Sequence, residues 1–313
     1  SGLSLDDVEV AQPALFTVAL GLAALWRSLG LEPDAVTGHS QGEVPAAVVA
    51  GALSLEDAVR VVIARSRAFQ RIESGSGGMA LLGLPPAEVE ELLAAYDGAL
   101  SVAAVNTPGS VAVAGAADAV TDLLAKLAGR DVFSRRIKAD RAGHCSLVDP
   151  VLPEVEAELS GLSPRATTLP LYSSVTGAPI DGEALDARYW CRNLREPVRL
   201  DLALEALRAD GFGVFTEISP HPLLAIPLTT FTADGGGVVL SSLRRGHGGL
   251  DQILRGLGHL HVHGHTVDWT RLLDGPGRPV DLPGYAFQRQ SYWIDGGSRV
   301  AARPEPQPAP ADL

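Results

Sequence analysis

Residues 36–44 read VTGHSQGEV, and within them Gly38-His39-Ser40-Gln41-Gly42 forms a G-x-S-x-G pattern. A short β-prone run, DAVTG (34–38), leads into the pattern, and the Ala-rich EVPAAVVAG leads out of it as a helix. This strand–G-x-S-x-G–helix order is what a nucleophile elbow needs. The small residues permit a tight turn that exposes the Ser40 hydroxyl. The following helix points its N-terminus at that hydroxyl, so free N–H groups, that of Gln41 included, can hold an oxyanion. The pattern predicts an α/β fold with a hydrolase-like parallel sheet and Ser40 as a candidate nucleophile.

Upstream, residues 13–29 are helical in pattern and Gly30 stops them. The apolar core of that stretch, ALFTVALGLAALW (14–26), is too short to span a bilayer and reads as a buried helix. Downstream, Ser54 and Asp57 form a capping box that opens a helix over 55–72, which carries Arg60, Arg65, Arg67 and Arg71. SGSGG (74–78) reads as a linker. The next sixty residues follow the order β-α-β-β-α-β, which suits a ferredoxin-like unit inserted in the larger domain. The expected organisation is a large α/β subdomain over 1–75, the small subdomain over 76–139, and the large subdomain again over 140–247. An appended segment over 248–313 holds a helix, a short strand at HTVDW (265–269) and a Pro/Ala tail (302–313) expected to be disordered.

The bulk numbers narrow the function. The chain has 313 residues, 46% hydrophobic, with a net charge of −12, which argues against a nucleic-acid surface. Two distant cysteines, Cys145 and Cys191, and no signal peptide point to a reducing cytoplasm rather than a membrane or secreted setting.

A serine nucleophile needs a base, and eight histidines are available. His39 adjoins Ser40, and its side chain should point away from the hydroxyl. His259, His261, His263 and His265 lack an adjoining carboxylate or thiol and read as a solvated helix end, not a metal site. His144 and His221, both in loops, remain as candidate bases. An α/β-hydrolase would also need an Asp or Glu between Ser and His in chain order. A non-catalytic docking module is the third reading.

The longer stretch GHSQGEVPAAVVAGALSLEDAVRVVIARSRAF closely resembles the acyltransferase domain of modular type I polyketide synthases, relatives of the malonyl-CoA:ACP transacylases. The resemblance continues through AAVNTPGSVAVAG, DRAGHCSLVDP, PLYSSVTG, YWCRNLREPVRL and FTEISPHPLL, and ends at VDLPGYAFQRQSYW, which looks like the linker after this domain. It implies Ser40 as the acylated nucleophile and His144 as general base. A backbone carbonyl near Glu196 would orient that histidine. Arg65 would pair with the carboxylate of a malonyl-type substrate, and Gln41 and Asn106 would line the pocket. A guanidinium fork suits that task, because it binds a carboxylate bidentately and keeps its charge. The implied donor is acyl-CoA and the implied acceptor the phosphopantetheine thiol of an acyl carrier protein, with no cofactor bound by the domain itself. A neighbouring ketosynthase would pack on the C-terminal linker.

Two features depart from the family pattern. Family members begin with a strand and a PGQG-like loop that completes the oxyanion hole. The chain starts at Ser1 beyond them, so the resemblance implies that 1–313 alone lacks a central strand and folds poorly. The four residues ending at the histidine are Arg141-Ala142-Gly143-His144, where methylmalonyl-specific relatives read YASH and malonyl-specific ones HAFH. Gly143 removes bulk beside the acyl α-carbon, and Gln41 leans away from malonyl. The resemblance therefore implies a 2-substituted malonyl unit, ethylmalonyl or larger ahead of methylmalonyl. Arg141 either snorkels outward or meets a polar substituent.

Overall fold

The computed structural model describes residues 4–139, 141–272, 280–290 and 292. Two compact units divide at Leu272/Leu273. In the second, residues 280–290 and 292 form no helix or strand. The Pro/Ala tail lies outside the described residues.

The first unit opens with α1 (Val8–Ser28), started by Asp7, whose side chain accepts from the Glu9 N–H. The helix is longer than its apolar core suggested, and by length and composition alone it could cross a membrane. It buries only Phe16, Ala19, Leu22 and Trp26, one stripe at helical spacing, so the expectation of a buried helix is corrected to a one-sided one. Then follow β1 (Val36–Thr37), α2 (Glu43–Val49) and α3 (Leu55–Arg71). The cap that starts α3 is the one expected: Ser54 Oγ accepts from the Asp57 N–H at 3.1 Å.

The insert is β2 (Gly77–Leu82), α4 (Pro86–Leu93), β3 (Leu100–Thr107), β4 (Ser110–Ala116), α5 (Ala117–Leu127) and β5 (Ser134–Ile137). These strands pair antiparallel in the order β5-β2-β4-β3, a ferredoxin-like sheet. Leu82, Val89, Leu93, Val113, Val120 and Leu123 close its core under α4 and α5. SGSGG is no free linker, since Gly77 and Gly78 begin β2. A Cβ on Gly77 would lie 2.6 Å from the Ala142 nitrogen, so glycine is what lets this strand pass the segment leading to His144.

The chain then adds α6 (Leu152–Leu159), β6 (Leu171–Ser173), β7 (Ala178–Ile180), α7 (Ala187–Arg195), β8 (Val198–Arg199), α8 (Leu200–Ala209), β9 (Val214–Glu217), α9 (Ala225–Thr232), β10 (Val238–Ser241) and α10 (Leu250–Val262). Strand β1 pairs parallel with β6, which pairs antiparallel with β7, while β9 and β10 form a separate parallel pair. Strand β8 joins β3 of the small sheet in parallel, a contribution from outside the insert. Val44, Ala47, Val61, Val62, Trp190 and Leu194 fill the main core between α2, α3 and α7. Ile253, Leu257 and Leu260 of α10 pack with Trp26, Val238 and Leu240, which ties α10 to the first unit. HTVDW forms no strand: residues 265–268 lack regular structure and lead into a 3-10 turn at Trp269–Leu272. Val267 of that run instead packs into the cluster around α10 and β10.

Around Ser40 the two motif glycines differ. A Cβ at Gly38 would sit 2.2 Å from the Glu43 nitrogen, whereas one at Gly42 meets nothing within 4 Å. The elbow's tightness therefore rests on Gly38, where the strand end crosses the start of α2. Gly38→Ala is expected to destabilise the protein by about 3 kcal/mol or more, because backbone atoms cannot move aside as a side chain can. Gly42→Ala should stay within about 1 kcal/mol of the parent. Urea midpoints of the two variants check the contrast, and equal losses would contradict it.

Candidate active site

Ser40 lies between β1 and α2 with φ 54°, and His144 lies after the insert with φ 58°. Neither is glycine, and such backbone costs on the order of 1–3 kcal/mol per residue unless its surroundings fix it. The C-terminal turn of α7 does so for both. Asn193 Nδ2 donates to the Ser40 carbonyl at 3.3 Å. The His144 N–H donates to the Leu194 carbonyl at 2.9 Å.

The two side chains meet. Ser40 Oγ and His144 Nε2 are 2.7 Å apart. His144 Nδ1 lies 2.7 Å from the Glu196 carbonyl oxygen, which can only accept, so the proton is on Nδ1 and Nε2 is free to take one from Ser40. The Glu196 carboxylate itself is turned to Arg192 at 2.8 Å. Among the described residues no side-chain carboxylate bonds to the histidine, unlike the arrangement of a Ser-His-Asp hydrolase. Burial pushes the His144 pKa down to about 3; the Glu196 carbonyl opposes the shift and the Arg65 charge adds to it. His221 is elsewhere: its Nδ1 accepts from the Arg245 N–H at 3.3 Å.

Of the four arginines on α3, Arg65 alone is buried, at 1% exposure. Arg60 and Arg71 are exposed: Arg60 donates to the Gly161 and Glu158 carbonyls at the end of α6, and Arg71 pairs with Glu154. Arg65 Nη1 donates to Asn193 Oδ1 at 2.6 Å, Nη2 reaches Ser40 Oγ at 3.4 Å, and Nε is buried without a partner. Burial lowers the Arg65 pKa to about 10, with Glu43 opposing, so the group is still a cation at neutral pH. A guanidinium held beside a hydroxyl can bind a carboxylate with its paired N–H groups.

Asn193 and Glu43 complete the constellation and escaped sequence reasoning. Glu43, 2% exposed, accepts from Asn193 Nδ2 at 2.6 Å, from the Tyr189 hydroxyl at 2.8 Å and from the Ser174 N–H. Burial raises its pKa, and these donors hold it back. The signal available for Asn193 was its register: it follows Trp190 by three on the buried face of α7, where an amide demands partners.

The remaining expected pocket residues are placed less simply. Gln41 is beside Ser40 in chain and its N–H sits in the turn, yet its side chain donates to the Gln12 carbonyl of α1 at 2.8 Å. Asn106 on β3 accepts from His39 Nε2 at 3.0 Å, so His39 does turn from the hydroxyl and bridges to the small sheet. Arg141 Nε donates to the Ile72 carbonyl at the end of α3 at 2.8 Å, which ties its guanidinium to the backbone there. At Gly143 the removed bulk is not empty space: a Cβ there would lie 2.7 Å from Phe69 Cζ.

A family profile described as acyl transferase domain matches residues 2–267. The chain belongs to the acyl transferase domain family. It is the acyltransferase domain of a modular type I polyketide synthase, and thus an acyltransferase enzyme. It is 48% identical over 304 residues to the polyketide synthase GfsB of Streptomyces halstedii, covering 95% of this chain and 5% of that protein. The chain thus spans a small part of the curated relatives it matches. Among solved structures, the acyltransferase domain from module 8 of the salinomycin polyketide synthase aligns with TM-score 0.83 and 40% identity over 87% of this chain and 64% of that one. A loading acyltransferase from the avermectin modular polyketide synthase aligns with TM-score 0.79 and 42% identity over 83% of each chain.

The buried neutral His144 makes a pH signature. Its folded pKa, about 3, lies below the ordinary 6.5, so the unfolded chain binds the proton first as pH falls. Its share of stability is intact above about pH 6.5 and drains away between there and pH 3. His144→Gln removes that share. Urea unfolding should show wild type losing stability more steeply than the variant, by roughly one proton's slope, from pH 6.5 downward. Parallel slopes would show that His144 titrates normally.

Proposed function

We propose that the domain moves a 2-substituted malonyl unit from CoA to the phosphopantetheine thiol of an acyl carrier protein through an acyl-Ser40 intermediate. The observation that carries this is buried Arg65, whose Nη2 lies 3.4 Å from Ser40 Oγ, beside the Ser40–His144 pair. A fixed cation at that spot favours acyl groups that end in a carboxylate.

In the first half-reaction Ser40 Oγ attacks the thioester carbonyl while His144 Nε2 takes the hydroxyl proton. The carbon–sulfur bond breaks, and His144 returns the proton to the leaving CoA thiol. The Gln41 N–H supplies one oxyanion donor. In the second half-reaction the carrier thiol gives its proton to His144 and attacks the ester, and Ser40 leaves with that proton. The substrate carboxylate also neutralises Arg65, which lifts one of the pressures holding the His144 pKa low. Asn193 and Glu43 hold the guanidinium in place. Nothing in this chemistry calls for a resident metal or redox group.

Gly143 is the basis for ranking ethylmalonyl or larger units ahead of methylmalonyl, with Asn106, Gln41 and Arg141 as outer parts of the site. A ketosynthase is the proposed neighbour of the segment after Leu272, and the cytoplasm the proposed setting.

Two measurements test the reading. Incubation with a panel of malonyl-type and monocarboxylic acyl-CoAs, read by intact mass, should give one acyl adduct that Ser40→Ala abolishes. The absence of any malonyl-type adduct would refute the proposal. Arg65→Ala should lower kcat/KM for malonyl-type donors on the order of a hundredfold, with monocarboxylic donors gaining relative to them. An unchanged ratio would remove Arg65 from substrate binding.

A further inference from the structure

Asn193 is 1% exposed, and its amide is used on both sides. Oδ1 accepts from Arg65 Nη1 at 2.6 Å. Nδ2 donates to Glu43 Oε2 at 2.6 Å and to the Ser40 carbonyl at 3.3 Å, one hydrogen for each. The orientation of the amide is forced. A guanidinium can only donate, so it takes the Oδ1 side, and a carboxylate can only accept, so it takes the Nδ2 side. Glu43 is held in turn. The Tyr189 hydroxyl donates to it at 2.8 Å and the Ser174 N–H also donates, while the Ser173 hydroxyl lies 2.7 Å behind that of Tyr189. Asn193 cannot flip, and it cannot move toward one neighbour without leaving another.

The amide joins two groups that the transfer needs for different reasons. Arg65 meets the substrate carboxylate. Ser40, at φ 54°, presents the nucleophile from backbone that relaxes unless it is held. We propose that Asn193 is a positioning residue with two outputs: through Oδ1 it aims Arg65 at the carboxylate of the acyl unit, and through Nδ2 it holds Ser40 in attacking geometry. This rests on the transfer reading above and adds a link between recognition and chemistry. A carboxylate that draws on Arg65 loads the same amide that fixes Ser40. An acyl unit that carries a carboxylate is then favoured in the rate of attack, and not in binding alone. Asparagine is the side chain this place requires. Aspartate would keep the acceptor and lose both donors, and leucine would lose all three.

The test uses the whole chain and follows the Ser40 adduct by intact mass, in a single turnover under excess methylmalonyl-CoA or propionyl-CoA. These donors differ only in the carboxylate. The rate constant for adduct formation does not depend on how many chains are folded, so a variant that merely folds less well keeps it. Asn193→Leu is expected to lower the saturating rate on the order of tenfold with propionyl-CoA, through Ser40 alone. With methylmalonyl-CoA it should fall about tenfold further, the scale of one charge-assisted hydrogen bond, and the half-saturating concentration should rise. In an Arg65→Ala background that extra loss should vanish and both donors fall in step. Asn193→Asp, of the same volume, should also slow propionyl transfer, which keeps the test decisive if the leucine variant does not fold. Equal losses with both donors while Arg65 is present would overturn the Arg65 output. An unchanged propionyl rate would overturn the Ser40 output, and either result ends the proposal. No adduct on wild-type Ser40 with methylmalonyl-CoA would instead count against the transfer reading on which it rests.

Discussion

The site depends on the C-terminal turn of α7. Within four residues it offers Asn193 to the Ser40 carbonyl and to Arg65, the Leu194 carbonyl to the His144 backbone, and the Glu196 carbonyl to the His144 ring. A helix end is suited to this because its last carbonyls have no partner within the helix. Here those orphans are matched to the donors of a strained loop. The two left-handed residues, Ser40 and His144, would relax out of line without them. Trp190, fully buried one turn earlier, anchors the turn to the core, its indole N–H on the Leu185 carbonyl at 2.9 Å.

The electrostatics follow from that placement. A buried arginine next to a histidine would ordinarily be a poor arrangement, because each cation raises the cost of the other. It works because His144 stays neutral, and because Glu43 reaches the guanidinium through Asn193 instead of pairing with it directly. A direct Glu43–Arg65 pair would occupy two of the five guanidinium N–H groups. With the amide between them, the carboxylate stabilises the cation at a distance, yet Nε remains without a partner. The same asparagine also turns toward Ser40, so the charge network and the nucleophile's backbone share one residue.

Sequence reading reached the elements with strong local signals. The G-x-S-x-G elbow, the Ser54 cap and the β-α-β-β-α-β order are each written in a few neighbouring residues, and each appears in the fold. Residue contacts across the chain were not legible in the same way. Asn193 and Ser40 are joined only by tertiary packing, and no period or spacing announces it. The two-residue strand β8 is too short to carry a pattern and exists because β3 offers it an edge. Gly143 read as vacant bulk because the ring that fills the space arrives from another helix. For Arg141 the sequence leaves two readings open, an outward turn or a polar substituent, because nothing local shows that its Nε donates to the Ile72 carbonyl.

The short strand has a further consequence for how the two subdomains cooperate. Glu196, which orients His144, lies two residues before Val198, where β8 begins. Val198 and Arg199 pair with Ala104 and Val105 of β3, and the next residue, Asn106, accepts from His39. His39 is bonded to Ser40. The path Ser40–His39–Asn106–β3–β8–Glu196–His144–Ser40 therefore closes on itself, half in the large subdomain and half in the small sheet. A shift of the small sheet displaces the carbonyl that orients the base and the amide that holds the residue beside the nucleophile, both at once. The inserted unit thus shares a closed chain of contacts with the dyad, through Asn106 on one side and β8 on the other.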